Sequence, residues 1–292
     1  MPETTERWQV GEVRVTSVVE VQFDGVPPEL FFDGSDAAMV LSHAWLQPHY
    51  ADDRGMLHFR VQALMLEVAG RTIVVDPCIG NGKKRALPFW NDQSWPFVER
   101  LEAAGVALDA VDQVIHTHLH LDHVGWDCRK VDGAWVPTFP NARYLYIGDD
   151  LDELLGAADD ESRELVADSI QPVLEAGLAD RVEPDADLGG GLRFVPTPGH
   201  TRAHASLLIE SAGERALVTG DALHHPLQMA ERSLTFGDAD QERAAVTRHE
   251  LLTSVAADQR LVFGTHFPTH PMGRVVVDGE RWRFTPVPGT PV

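Results

Sequence analysis

Residues 11–22 alternate apolar and polar side chains with a period of two, which predicts a half-buried strand. The rhythm breaks over 26–60, where Pro27-Pro28, Gly34, Pro48 and Gly55 punctuate a run of aromatics. Two further strand-like runs, 59–68 and 72–75, meet at the turn signal Ala69-Gly70, and Asp76-Pro77-Cys78-Ile79-Gly80 closes the second. Apolar spacing predicts a helix over 94–104, stopped by Gly105, and then a strand from Val111 into a histidine-rich stretch. Beyond the strand-like Tyr144-Leu-Tyr-Ile147, helical periodicity resumes at 151–155, 163–170 and 172–176, and strands follow at 192–195, 205–210 and 215–219. The strongest helix covers 239–257 and leads into a strand at 260–263. The last two strands, 273–277 and 281–285, flank the hairpin signal Asp278-Gly279. No repeat, low-complexity tract or linker interrupts the chain, so one continuous α/β domain over residues 1–292 is expected, with 1–60 supplying an N-terminal strand and a pocket-covering segment.

Composition narrows the function classes. Of 292 residues, 43% are hydrophobic and 24% charged, as in an ordinary globular protein with a sizeable core. The formal net charge of −21 repels phosphate backbones and anionic membranes, so neither nucleic acid nor membrane is an expected partner. The first residues lack the basic start and apolar run of a signal peptide, and no segment approaches the roughly 18 apolar residues of a membrane span. Cys78 and Cys128 are the only cysteines, too few for a disulfide framework, and a cytoplasmic location is expected.

Four potential metal ligands fall within six residues: His118, His120, Asp122 and His123 have the spacing H-x-H-x-D-H. In an extended segment His118 and His120 point the same way. If the chain then turns into a helix, Asp122 and His123 serve a second point nearby. Imidazoles with one carboxylate suit zinc, manganese, cobalt or iron better than calcium or magnesium. More candidates follow the ends of predicted strands: Gly199-His200, Gly220-Asp221 and Gly264-Thr265-His266. A glycine before the ligand lets the backbone turn tightly and leaves room for an ion. A single Gly-Asp or Gly-His is usually only a turn; seven such residues in order at strand ends point to a two-metal hydrolase.

This order of motifs resembles the metallo-β-lactamase-fold hydrolases over roughly residues 60–285. The resemblance implies a four-layer αβ/βα sandwich with two divalent metals, zinc first and manganese, cobalt or iron as alternatives, at one edge of two packed sheets. It places His118, His120 and His200 on one metal, Asp122, His123 and His266 on the other, and Asp221 between them. Asp76 would support the histidine loop. It also implies attack by a metal-bridging hydroxide, with Asp122 orienting it and passing on its proton. Within the superfamily the chain resembles the methyl parathion hydrolase-like and N-acyl homoserine lactonase-like branch. His224 lies three residues after Asp221, where the acyl homoserine lactonases usually carry a tyrosine; Leu234-Thr-Phe236, the 239–257 helix and Gly264-Thr-His-Phe-Pro268 are similar to the other enzymes. His224 is therefore a candidate hydrogen-bond donor to substrate, with a buried helper role as the alternative. The expected function is hydrolysis of a small carboxylic ester or lactone, with phosphotriesterase activity beside it. A glyoxalase II-like thioesterase and a non-catalytic metabolite sensor of the same fold are the alternatives. A homodimer is implied by resemblance alone.

Other residues have plainer expected roles. His116 should pack behind the ligands, and His204 should stabilise its loop. His43, His49, His58, His249 and His270 lack motif context, although His43 or His49 could face the pocket. Phe31, Phe32, Trp45, Phe89, Trp90, Trp95 and Trp126 are placed near the metal edge as aromatic walls for an acyl or aryl group, core being their commoner role. Lys83-Lys84-Arg85 is the main basic run, expected as a solvated loop rather than an anion trap.

Overall fold

The N-terminal alternation folds as two antiparallel strands, Glu6–Val10 and Val13–Val26, with Val10 opposite Val13 and Glu6 opposite Ser17. A computed structural model describes residues 5–292. Its contacts group into two compact units, residues 5–21 with 61–183 and 291–292, and residues 22–60 with 184–290. Among the described residues no helix is long and apolar enough to cross a membrane.

The first unit is built on an eight-stranded sheet in the order Thr290–Pro291, Glu6–Val10, Val13–Val26, Leu57–Val68, Arg71–Val75, Gln113–Ile115, Arg143–Ile147, Ala179–Val182. The last four strands run parallel. Parallel strands need crossover connections, and covered faces make them read as unbroken apolar runs. Ile73, Val74, Val75, Val114, Ile115, Tyr144 and Tyr146 are accordingly buried. The helix predicted at 94–104 is Phe97–Ala103, and it buries Phe97 and Leu101. One hairpin escaped the sequence reading: Cys128–Val131 pairs with Ala134–Pro137. Its signal was present, because Asp132 and Gly133 both adopt positive φ (50° and 85°), as the tight Asp-Gly turn requires.

The basic run is not a solvated loop. Only Lys84 is exposed, paired with Glu164; Lys83 and Arg85 are buried. The cause lies in residues 166–172. A wide π turn spans Val166–Ile170, and the next residue but one is Pro172. In an α-helix the Asp168 carbonyl would accept from the N–H of residue 172, which proline lacks. Lys83 Nζ donates to that carbonyl instead (2.5 Å) and to Ser169 Oγ (3.2 Å), while resting 3.9 Å above the centroid of the Trp135 ring. Arg85 meets the Asp168 carboxylate with two nitrogens, at 2.8 and 3.0 Å.

The second unit carries a seven-stranded sheet in the order Asp187–Gly189, Leu192–Pro196, Ala205–Ser211, Glu214–Val218, Leu261–Phe263, Met272–Asp278, Arg281–Pro286. All neighbours are antiparallel except Glu214–Val218 and Leu261–Phe263. The register pairs Pro196 with Ala205, Leu207 with Val218, and Val218 with Phe263. Three strands therefore end at one edge of the sheet, and the loops carrying His200, Asp221 and His266 all leave from it. The parallel pair is joined through the helix Gln241–Asp258, capped by Asp240, whose side chain accepts from Arg243 N. Its buried stripe is Ala244, Thr247, Arg248, Leu251, Leu252 and Val255. Each buried leucine there contributes about 2 kcal/mol by removal from water.

Burial lowers the Lys83 ammonium from 10.5 to about 8, against the opposing pull of Asp168. Between pH 8 and 10.5 the unfolded chain holds a proton that the native state has lost, so this contribution to stability rises with pH and falls as pH drops through 8. Urea unfolding of native protein and Lys83→Met at pH 7.5 and 10 should show the gap between them widening by about 1–3 kcal/mol at the higher pH. An equal gap at both pH values contradicts this account.

Candidate metal centre

In the first unit the strand Gln113–Ile115 stops before His116, and the ligand stretch is a turn rather than an extended run followed by a helix. Only the short 3-10 turn Gly125–Asp127 follows. The donors that would start a helix are committed elsewhere: Gly125 N–H goes to Cys78 O (2.7 Å) and Trp126 N–H to Pro77 O (2.8 Å). The approach admits nothing larger than glycine, since a Cβ on Gly125 would lie 1.7 Å from Ile79 O. Beneath this loop Glu20 accepts from Ile79 N (2.8 Å), Gly80 N (3.0 Å) and Trp126 Nε1 (2.6 Å), and burial raises its carboxyl to about 7. The sequence reading passed over Glu20, a single charge inside Val18-Val19-Glu20-Val21.

Asp76 supports the histidine turn, as the motif predicts. Its carboxylate accepts from Thr117 N and Thr117 Oγ1, both at 2.8 Å, and lies 3.2 Å from His123 Nδ1. The Thr117 hydroxyl has given its one proton to Asp76, so it accepts from His118 Nδ1 (3.1 Å), leaving His118 Nε2 with a lone pair. The His118 ring centroid is 4.6 Å from that of His120 and 4.1 Å from that of His123. Asp122 Oδ1 lies 3.8 Å from His123 Nε2. His116 turns away, bonding Leu145 O (3.1 Å) and Asp127 Oδ1 (2.8 Å), with Tyr146 on the other Asp127 oxygen. Burial alone would lower His116, but the charge and hydrogen bond of Asp127 hold it above its ordinary value.

In the second unit Asp221 is the centre. Its Oδ1 lies 3.1 Å from His266 Nε2, and its Oδ2 lies 3.4 Å from His200 Nε2 and 3.3 Å from His224 Nε2. The other nitrogen of His266 and of His200 is engaged. His266 Nδ1 donates to Arg60 O (2.9 Å) and His200 Nδ1 to Asp238 Oδ1 (3.1 Å). In its neutral form each ring would direct its Nε2 lone pair at a carboxylate oxygen, a contact made favourable by a shared cation or by a second ring proton. The separations fit: a nitrogen and an oxygen on one tetrahedral zinc stand about 3.3 Å apart. The donor set fits a divalent transition metal. Asp238 offers a rival set, since ligand atoms of His200, His224 and Asp238 lie within 4.8 Å of one another. Its two oxygens already accept from His200 and Arg248.

His224 is buried, and neither ring nitrogen has a hydrogen-bond partner. The Phe236 ring meets it edge-on at 5.6 Å and Phe31 at 6.4 Å; Phe31 itself is stacked between Phe59 (3.7 Å) and Phe236 (3.9 Å). Of the other predicted aromatics, Phe32 is in the core, Trp126 is the buried donor to Glu20, and Phe89 is exposed. His204 stabilises its loop as predicted: Nδ1 donates to Thr197 Oγ1 (2.8 Å), and Nε2 accepts from Asp221 N (2.9 Å). His43 pairs with Glu231 (3.0 Å), and His49 packs against His270.

Comparison with known proteins agrees with this geometry. Residues 58–282 match the model of the metallo-beta-lactamase superfamily. The chain belongs to that superfamily. An N-acyl homoserine lactonase of Bacillus sp is 28% identical over 173 residues, which cover 58% of this chain and 61% of the lactonase. The chain thus spans less than two thirds of the length of the curated relatives it matches. Among solved structures, hydrolase AbOPH of the beta-lactamase superfamily has a TM-score of 0.82 at 21% identity, covering 98% of both chains. AidC, a dizinc quorum-quenching lactonase solved with a product, has 0.79 at 18%, covering 97% of both. At such identities the likeness is one of fold, and the fold is the metallo-β-lactamase fold. Hydrolases of this superfamily are metal-dependent, and the His/Asp groups described here could hold metal.

The tight seat of the His200 loop is open to test. Gly199 has φ +136°, and a Cβ there would lie 2.4 Å from Ala244 N and 2.5 Å from Ala244 Cα. Gly213, also at positive φ, faces open space. In thermal or urea unfolding Gly199→Ala should cost more than about 2 kcal/mol, and Gly213→Ala only about 1. Equal losses would show that crowding against the helix is not what selects Gly199.

Proposed function

We propose that the chain is a metal-dependent hydrolase of small carboxylic esters or lactones. The observation that carries the reading is Asp221, whose two oxygens lie 3.1 Å from His266 Nε2 and 3.4 Å from His200 Nε2. The proposed ligands are His118, His120 and His200 for one cation, Asp122, His123 and His266 for the second, and Asp221 for both. The nitrogen-rich donor set favours zinc. When bound, such cations polarise the scissile carbonyl and make water acidic enough to attack near neutral pH.

The chain's own side chains have separate duties in this scheme. Asp122 takes the proton of the attacking water and delivers it to the departing alkoxide. His224, whose ring makes no hydrogen bond and whose Nε2 lies 3.3 Å from Asp221 Oδ2, donates to the carbonyl oxygen as negative charge gathers there. Phe31 and Phe236, edge-on to His224, give the acyl side of the substrate an apolar surface and keep water from it. Kinship to an N-acyl homoserine lactonase supports a lactone as the substrate class. Phosphotriester hydrolysis is proposed as a secondary activity of the same groups.

Zinc-loaded protein should hydrolyse γ-lactones and aryl esters, with weaker turnover of a phosphotriester; inactivity on all three would remove the assignment. His120→Ala and Asp221→Ala should each abolish turnover and lower the zinc content found by elemental analysis. His224→Phe should lower kcat by about 10²-fold with zinc content unchanged. Loss of zinc in that variant would make His224 a ligand instead.

A further inference from the structure

We propose that Arg248 is the positioning residue that holds two ligand loops of the second unit in register, an inference that rests on the assignment of His200 and Asp221 as metal ligands. Arg248 lies in the middle of the buried stripe of Gln241–Asp258, between Ala244 and Leu252, where an apolar side chain would be the ordinary choice. A guanidinium without water is tolerated only when its donors are matched. Here two of the contacts lead to a proposed ligand, and the others secure the intervening loop. Nε donates to Ala222 O (2.9 Å), in the turn Gly220–Ala222 that bears Asp221. Nη1 donates to Leu234 O (3.0 Å) and Arg232 O (3.2 Å), and Nη2 to Asp238 Oδ2. The other Asp238 oxygen takes the proton of His200 Nδ1.

One planar fork therefore fixes the Asp221 turn through its backbone and the His200 ring through Asp238. The planarity matters: donors at fixed angles set two acceptors relative to each other, which the single ammonium of lysine cannot do. The same helix holds the backbone of the His200 loop. Thr247 Oγ1 donates to Pro198 O (2.6 Å), and the cap residue Asp240 N donates to Gly199 O (2.9 Å). Ala239 N donates to His200 O (3.1 Å). With the backbone held independently, Arg248 and Asp238 govern the ring's rotation and the spacing of His200 Nε2 from Asp221 Oδ2, now 3.4 Å.

The test compares full-length native protein with Arg248→Lys, Asp238→Asn and Leu252→Ala, using zinc competition against a chelator and the visible absorption of the cobalt-loaded protein. Arg248→Lys and Asp238→Asn should weaken zinc about 10–100-fold and alter the cobalt spectrum. Leu252→Ala, a core cavity in the same helix, should lower the unfolding midpoint while leaving zinc affinity and spectrum as in the native protein. If Arg248→Lys does not fold, the near-isosteric Asp238→Asn decides alone. Native zinc affinity in Asp238→Asn overturns the inference, as does an equal loss in Leu252→Ala. If the native protein binds no zinc, the proposed function fails as well; native binding with unaltered variants overturns this inference alone.

Discussion

A carboxylate oxygen and an imidazole nitrogen that both present lone pairs repel at 3 Å, and Asp221 meets two such nitrogens. Arg60 O and Asp238 accept from the far side of each ring and so fix the tautomer of its neutral form. Positive charge entering between the atoms would relieve the repulsion, so in the proposed metal centre completing this part of the fold and binding a cation would be linked. Within each unit a hydrogen bond likewise sets a ring tautomer: the Asp221 N–H donates to His204 Nε2 in the second, and Thr117 accepts from His118 Nδ1 in the first.

Sheet topology supplies the aim. Parallel pairing of Glu214–Val218 with Leu261–Phe263, and the antiparallel pairs beside it, send three loops from one sheet edge. Exactness within the loops comes from the helix Gln241–Asp258, which fills the crossover that parallel pairing demands. The helix required by topology is thus also the part that seats Gly199 and His200. Arg248 extends the same logic from backbone to side chain.

Most strands and the long helix were legible because their signals are local. Alternation, a glycine after a helix and Asp278-Gly279 each lie within a few residues of what they determine. The motif residues were legible for the same reason, since each follows a strand end. What went unread depends on partners far away in sequence. Glu20 meets loop 79–80 and Trp126, and Lys83 meets Asp168. Arg248 reaches Ala222 and Asp238. Each nevertheless left a local trace: a glutamate inside a valine run, or an arginine in the apolar stripe of a helix. Asp238 follows a glycine just as Asp221 does, so the pattern that found one was available for the other. The helix expected after His120 failed for a non-local reason as well, because Gly125 and Trp126 give their amides to residues 77 and 78.

The wide turn at Val166–Ile170 carries a consequence for how this chain can vary. Pro172 leaves the Asp168 carbonyl without a helical donor, and the Lys83 ammonium from a distant loop stands in for it. Neither position is then free to drift alone. A descendant with a shorter residue at 83 would strand an acceptor, and one that restored an amide at 172 would leave the ammonium competing with the helix for the same oxygen. Substitutions at 83 and 172 should travel together through divergent sequences, so this pair forms a single heritable unit although 88 positions lie between its members.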